Sequence, residues 1–425
     1  MSETKYRNSQ ALLQRAQRVI PGGVYGHQAP RSFVDGDYPI FLKHAEGCRV
    51  VDVDDNRYID LLCSFGPMIV GYRNAAVEEA ASAQRAQIDI GNVPAPVMVE
   101  LAERLVAMTP GTDWAMFAKN GSDVCTWSLA LAREATGRDL IAMVGGTYHG
   151  VHGWCNGRER GFPDGDRASI VHFEWNELEQ ARALFEQYPD RIAGVIVTPF
   201  RHEAYANSVL PTPGFLSGLR ELCDTNGSVF ILDDVRAGFR LHLGGSGQYF
   251  GVTPDLCLYS KALSNGRALA AILGRDSLRE AASTVFFTGT AFTQAVPMAA
   301  ALATIDELQR GDAIAHMERV GRRLCQGLVA LAAHEGLAVT ISGPPAIPFM
   351  TFDGDAGGFR RARAFSAAWA RNGVFSHPHH NWFVSAAHTD ADIDEALAAA
   401  KPAFHAVIEA FGSDSGELDN DKETT

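Results

Sequence analysis

Phe230-Ile231-Leu232-Asp233-Asp234 is an apolar run that breaks off into two carboxylates, and Leu256-Cys257-Leu258-Tyr259-Ser260-Lys261 is a second run that ends in a lone lysine. Short, nearly continuous apolar runs are what a mostly parallel sheet requires when helices cover both of its faces. Open sheets of this kind bind ligands at the carboxyl edge of their strands, where these charged residues fall. Further strands of the same type are Ala115–Phe117, Leu140–Val144, Gly194–Val197 and Ala270–Leu273. Between the first two, Asp123 to Thr136 has the spacing of a helix, with Gly137 placed to end it.

Outside this block the pattern changes. The stretch from Ser9 to Ile20 has helical apolar spacing and stops at Pro21-Gly22-Gly23. Phe41 to Leu62 reads as short antiparallel strands, with turns at Glu46-Gly47 and at Asp54-Asp55-Asn56. From Gly311 to Phe411 helices and strands mix. The fold class expected is α/β, with a large domain built on a mostly parallel sheet and a smaller α+β domain built from both termini. The expected boundaries are 1–65 and 311–411 for the smaller domain, 66–310 for the larger, and 412–425 for a disordered acidic tail.

The chain has 425 residues, 46% of them hydrophobic, which is enough for a large core without metal or disulfide staples. A formal charge of -13 argues against nucleic acid and anionic membranes as partners and favours small molecules. The seven cysteines are scattered and form no C-x-x-C pair, which fits a reducing cytoplasm rather than a disulfide framework or a zinc site. Residues 1–10 are polar and do not read as a signal peptide, and no apolar run reaches the ~18 residues that span a bilayer.

Lysine is rare in this chain: Lys5, Lys43, Lys119, Lys261, Lys401 and Lys422 are all there are. Alone, Lys261 reads first as a solvated residue at a loop start. At a partly dry sheet edge, however, its amine would lose its proton readily and become available for a Schiff base. A carboxylate such as Asp233 at the same edge could keep the nitrogen of a pyridine ring protonated. Asn120-Gly121-Ser122-Asp123 lies between a strand and a helix, where it serves either as a plain helix cap or as an anion cradle of backbone N–H groups. Gly145-Gly146-Thr147-Tyr148-His149-Gly150 offers Tyr148 as an aromatic plate for a ring, and Phe287-Thr288-Gly289-Thr290 offers the Thr290 hydroxyl to a phosphate.

Taken together and in order, these segments resemble class III aminotransferases of the fold-type-I pyridoxal-phosphate family, in particular the branch containing glutamate-1-semialdehyde aminomutase. The likeness also includes Ile20-Pro21-Gly22-Gly23-Val24, Gly238-Phe239-Arg240 and the stretch from His380 to Thr389. The resemblance implies pyridoxal 5'-phosphate joined to Lys261, which also moves the substrate proton. It implies Asp233 on the pyridine nitrogen, Val235 and Tyr148 on the two ring faces, and Gly121 and Ser122 on the phosphate. It further implies a homodimer with its active sites at the interface, across which Thr290 reaches the partner's phosphate.

Departures narrow the reading. Asp234 stands where the family usually has glutamate, and Arg236 where an uncharged residue is common. Thr198-Pro199-Phe200-Arg201-His202-Glu203 replaces a usual Glu-Pro, and Ser376 to Asn381 holds no counterpart of the aminomutase's substrate-loop glutamate. These features resemble a smaller branch that includes the fumonisin-degrading aminotransferase, which moves an amine from a hydrolysed long-chain amino polyol to pyruvate. Tyr25-Gly26-His27 and Ala295-Val296-Pro297-Met298 share in that likeness.

The expected activity is therefore ping-pong amine transfer from an amine, a long-chain amino alcohol or polyol among the candidates, to a keto acid such as pyruvate. A 2,1-aminomutase is the alternative, and a non-catalytic sensor of the same fold a more distant one. A keto acid needs a cation for its carboxylate, for which Arg236 is the first candidate and Arg31 the second. His202 reads either as a lining of the substrate channel or as a loop histidine bound to backbone. His377, His379 and His380 lack an acidic or thiolate companion, and His149 and His152 sit among glycines, so no metal ligand set is read. Gly245-Ser246-Gly247 with Gly251 misses the dinucleotide spacing.

Overall fold

The computed structural model describes residues 5–34, 37–155, 161–355 and 358–413. Residues 414–425 of the expected tail, 412–425, and the side chain of Arg31 lie outside the described residues. The chain divides into two compact units, one falling within Met1–Asn74, Ala204–Ser208 and Ala315–Thr425, the other comprising Ala75–Glu203 and Val209–Ile314.

In the first unit, strands β1 (Leu42–Glu46), β2 (Arg49–Asp52) and β3 (Arg57–Asp60) form an antiparallel meander, as the turn residues between them predict. In the second unit, β4 (Trp114–Ala118), β5 (Leu140–Val144), β6 (Ile170–Phe173), β7 (Ile192–Val197), β8 (Val229–Asp233), β9 (Leu256–Tyr259) and β10 (Ala270–Gly274) form one sheet. Returning to the first unit, β11 (Val339–Ser342) pairs antiparallel with β12 (Phe349–Phe352), and β13 (Val374–Phe375) adds to β3 in parallel. The helices Arg360–Arg371 and Asp390–Phe411 bury Phe365, Trp369 and Phe404 in that unit's core. The smaller unit is thus α+β and draws on both ends of the chain.

The seven-stranded sheet runs β4-β10-β9-β8-β7-β5-β6. Every residue of β5, β7, β8, β9 and β10 is buried, the pattern of strands covered on both faces. Five of the strands are mutually parallel neighbours, while β10 runs antiparallel to both β9 and β4. Two reversals in succession give β4 the same direction as β9. The carboxyl ends of β4, β5, β7, β8 and β9 therefore all lie on one edge. Pairing of Asp233 with Leu258 sets the register that brings the end of β8 beside the segment leading to Lys261.

At the opposite end of β9, Asp255 ties the sheet to the helix Phe215–Asn226 that covers it. Its carboxylate accepts from Arg220 at 2.6 Å, from the backbone N–H of Phe230 at 2.7 Å, and pairs with Arg275 at 3.2 Å. Removing Asp255 leaves the buried Phe230 N–H without its acceptor and takes one of two acidic partners from Arg220, which keeps Asp224 at 2.6 Å; losing a partner from a part-buried ion pair of this kind costs up to about 3–5 kcal/mol. Asp255→Ala is expected to lower the chemical-denaturation stability of the protein by about that amount, whereas a change within ~0.5 kcal/mol would show the cluster to be solvated and dispensable.

Candidate active site

The strand ends on this edge converge on a cavity of about 260 Å³ lined by Asn120, Gly121, Ser122, Cys125, Tyr148, His149, Gly150, His202, Asp233, Val235, Arg236, Ser260 and Lys261. Every lining residue belongs to the larger unit.

Asp233 closes β8 and is almost wholly buried. Three donors hold it: the Val235 N–H to Oδ1 at 3.2 Å, His149 Nδ1 to Oδ2 at 2.7 Å, and Cys125 Sγ to Oδ2 at 3.4 Å. Burial pushes its pKa upward, but the hydrogen bond and charge of His149, with the other two donors, outweigh that and leave it below the ordinary value. Asp233 stays ionised in a dry place. His149 is itself fixed through Nε2 to the Thr147 hydroxyl at 3.0 Å, and that hydroxyl lies 2.7 Å from the Val144 carbonyl at the end of β5. Cys125, His149 and Asp233 place three possible metal-ligand atoms within 4.8 Å of one another. In this geometry both partners donate hydrogen bonds to the carboxylate, so the trio serves as a network around an anion.

Lys261 follows β9 and opens a single 3₁₀ turn, Lys261–Ser264. Its φ of 42° is left-handed, a strained value for a residue with a side chain and a common mark of functional positions. Its amine makes no hydrogen bond or ion pair among the described residues. Burial lowers its pKa to about 7, and the positive charge of Arg236 adds to that, while Asp233 opposes it. A neutral, nucleophilic amine is thus available near neutral pH.

The helix Gly121–Thr136 starts at the cavity. Asp123 caps its entry by accepting the Asn120 N–H at 2.9 Å. The backbone N–H groups of Gly121 and Ser122 make no hydrogen bond among the described residues, and both residues line the cavity. The positive end of a four-turn helix thus faces an open space, which is an anion site. Gly121 is required by close approach, since a Cβ there would lie 2.9 Å from Val235 Cγ1. At Gly150, φ is 124° and a Cβ would lie 2.5 Å from Ser122 Oγ. Ser122 Oγ also accepts the Val151 N–H at 3.2 Å, pinning the loop after β5 to the helix start.

Tyr148 stands in the cavity wall with 41% of its surface exposed. Arg236 is 7% exposed and donates through Nη1 to the His202 carbonyl at 2.9 Å. Burial lowers its pKa to about 10, so it remains a cation at neutral pH. Burial, then the charges of Arg236 and Lys261, press His202 well below its ordinary value, so the imidazole is neutral. Thr290 alone among the expected cofactor residues lies outside this cavity; it is exposed on the loop before the helix Ala295–Arg310. His149, Cys125 and Ser260 were not singled out by the sequence reasoning for this cavity. The phrase Tyr148-His149-Gly150 contained the signal for His149, but its partner is 84 residues away.

Asp234 shows the opposite behaviour to its neighbour. It is buried and turned away to Ser246, accepting the backbone N–H and the hydroxyl at 2.6 Å each. Ser246 opens a short helix, Ser246–Phe250, that the sequence pattern did not indicate. Burial raises the Asp234 pKa to about 7, although both Ser246 bonds pull it down.

An anion cradle, an aromatic plate, an ionised carboxylate and a neutral lysine in one cavity match the four demands of a phosphorylated pyridine aldehyde. The chain belongs to the class III aminotransferase family, whose model (Aminotransferase class-III) matches residues 33–156 and 164–402. It is 39% identical over 402 residues to the aminopentol aminotransferase of Sphingopyxis macrogoltabida, covering 95% of each chain. It is 35% identical over 438 residues to a glutamate-1-semialdehyde 2,1-aminomutase of Chloroflexus aurantiacus, covering 95% of this chain and 98% of that one. The fold superposes on the pyridoxal-phosphate form of the FumI protein of Sphingopyxis sp. MTA144 with a TM-score of 0.94 at 39% identity, over 96% of this chain and 98% of that one. The protein is a pyridoxal-phosphate-dependent aminotransferase of fold type I.

Two titrations check this electrostatic picture. In cofactor-free protein, acylation of Lys261 followed by peptide mass spectrometry should be half-maximal near pH 7; a midpoint near the ordinary ~10.4 would contradict the site. Asp234 holds a proton in the folded state between the unfolded pKa of 3.8 and about 7, so its contribution to stability is present at low pH and is lost as pH rises through about 7. Asp234→Asn should remove that loss, so the wild type should weaken relative to the variant between pH 5 and pH 8 in denaturant titrations. Equal slopes would show that Asp234 is ionised throughout.

Proposed function

We propose that this enzyme moves an amino group from a primary amine to a keto acid, with Lys261 as the group that both carries the cofactor and moves the substrate proton. The observation that carries this reading is the pairing of a neutral lysine with an ionised buried carboxylate at the open end of one helix. Bound in this cavity, pyridoxal phosphate supplies an aldehyde for the amine and a ring that accepts an electron pair.

The chain's own residues divide the remaining work. Gly121 and Ser122 hold the phosphate through their N–H groups and the helix dipole. Tyr148 covers one ring face and Val235 the other. Asp233 keeps a proton on the ring nitrogen, and His149 and Cys125 hold Asp233 in place and in charge. The Lys261 amine, in the neutral form that its lowered pKa makes accessible near pH 7, would take the proton from the substrate carbon bearing the amine and return it to the cofactor's aldehyde carbon on the far side of the nitrogen. Thr290, exposed on its own chain, reaches the phosphate held by a second copy, which makes the working enzyme a homodimer with active sites at the interface.

The similarity to aminopentol aminotransferase supports an amino alcohol or amino polyol as donor, and pyruvate is the acceptor proposed. No described helix is long and apolar enough to cross a membrane, and all seven cysteines are free, which supports a cytoplasmic location.

The experiment is a donor screen against pyruvate and 2-oxoglutarate, read by the cofactor's absorbance. Pyruvate should restore the visible band after an amine donor has bleached it, and Lys261→Ala should cut turnover by about 10³-fold or more. An amine that is isomerised with no acceptor present, and no response to any keto acid, would instead favour the 2,1-aminomutase activity of the Chloroflexus relative.

A further inference from the structure

We propose that Lys119 is a positioning residue for the cofactor's phosphate: through Gln294 and Asp89, its amine ties the anion cradle of the Lys261 cavity to the segment that carries Thr290. The inference rests on the pyridoxal-phosphate reading of that cavity and deepens it at the phosphate end. Every residue it uses belongs to the larger unit.

Lys119 lies between the last residue of β4 and the Asn120-Gly121-Ser122 cradle. Its half-buried amine donates to two neutral oxygens, the Ala268 carbonyl at 3.0 Å and Gln294 Oε1 at 3.0 Å. Ala268 stands just before β10, whose Ala270 pairs with Ala118 of β4. The first bond thus carries the β4–β10 pairing past the strand ends, up to the residue where the cradle begins. The second leads away from the sheet. Gln294 Nε2 donates to Asp89 Oδ2 at 2.8 Å, so one amide has a cation at its oxygen and a carboxylate at its nitrogen. A reversed amide would turn its N–H groups to the ammonium and its oxygen to the carboxylate, so the relay fits in one orientation.

Asp89 in turn holds the start of the helix Ala295–Arg310, of which Gln294 is the N-cap residue. Its Oδ1 accepts the Val296 N–H at 3.0 Å, and its carbonyl accepts the Ala295 N–H at 2.7 Å. The segment leading into Gln294 is knitted by two turn bonds. The Phe292 N–H donates to the Gly289 carbonyl at 2.9 Å, and the Gln294 N–H to the Ala291 carbonyl at 3.2 Å. Thr290 sits within these turns. In the proposed homodimer, each relay joins a chain's own cradle to the segment it lends to its partner.

Lys119 also contributes its charge. It makes no direct ion pair among the described residues, and Asp89 meets it only through Gln294. An uncharged donor could make the same two bonds. A cation beside the cradle adds to the positive helix end at Gly121 and Ser122, where a phosphate is to sit.

The test compares pyridoxal phosphate with pyridoxal, which has the same aldehyde and ring without the phosphate. Both are titrated into the full chain freed of its cofactor and followed by absorbance. In Lys119→Met, affinity for pyridoxal phosphate should fall about tenfold, as for the loss of a charge-assisted hydrogen bond. Affinity for pyridoxal should stay within about twofold, the scale of a substitution that leaves its binding groups in place. Lys119→Arg should recover part of the loss. Gln294→Leu should weaken pyridoxal phosphate to a similar degree, and adding it to Lys119→Met should bring little further loss, because both remove the same contact.

Equal losses for the two ligands, unchanged affinity for pyridoxal phosphate, or full additivity in the double variant would each overturn the proposal. An enzyme that binds its cofactor with these preferences but moves no amine would contradict the aminotransferase reading and leave the Lys119 relay standing. A wild-type chain that binds neither ligand would overturn both.

Discussion

A carboxylate taken out of water persists as an anion only if donors replace its hydration, and at Asp233 those donors come from separate segments of the chain. His149 arrives on the loop after β5, Cys125 on the helix Gly121–Thr136, and the Val235 N–H on the turn after β8. The anion therefore organises its surroundings as much as it is protected by them. Because His149 is tied through Thr147 to the end of β5, and Gly121 is pressed against Val235, the position of Tyr148 and of the helix start follows from the same network.

The chemistry depends on adjacent groups being pushed in opposite directions. Asp233 is held below the usual carboxylate range and Asp234 is raised to about 7, though they are consecutive in sequence and both buried. The difference lies in their donors: Asp233 faces an imidazole, and Asp234 faces only a hydroxyl and a peptide N–H. Lys261 is lowered by burial and by the fixed charge of Arg236. Separated proton affinities within one cavity are how a single fold keeps an acidic ring anchor ionised beside a basic amine.

Much of this was legible in the sequence because it depends on local transitions. The apolar runs ending at Asp233 and before Lys261 mark strand ends, and the strand Leu256–Tyr259 and the end of the helix at Thr136 fall where the pattern places them. The Asn120-Gly121-Ser122-Asp123 segment left helix cap and anion cradle both open, and the geometry supports both, with Asp123 as cap and Gly121 and Ser122 lining the cavity with their N–H groups. The remainder was hidden for a common reason: it depends on contacts distant in sequence. Nothing local marks Cys125 as a partner of Asp233, or Ser246 as the residue that takes up Asp234. The direction of β10, antiparallel to both neighbours, is set by its connections rather than by its composition. The strand Ile170–Phe173 is short and carries a polar histidine, which blurs its apolar pattern.

The most direct test of the central claim is to reduce the purified, cofactor-loaded enzyme with borohydride and map the label by peptide mass spectrometry. The structure predicts one phosphopyridoxyl group per chain, on the peptide that carries Lys261. A label on any other lysine, or colourless protein that takes up no label despite ample cofactor, would contradict it.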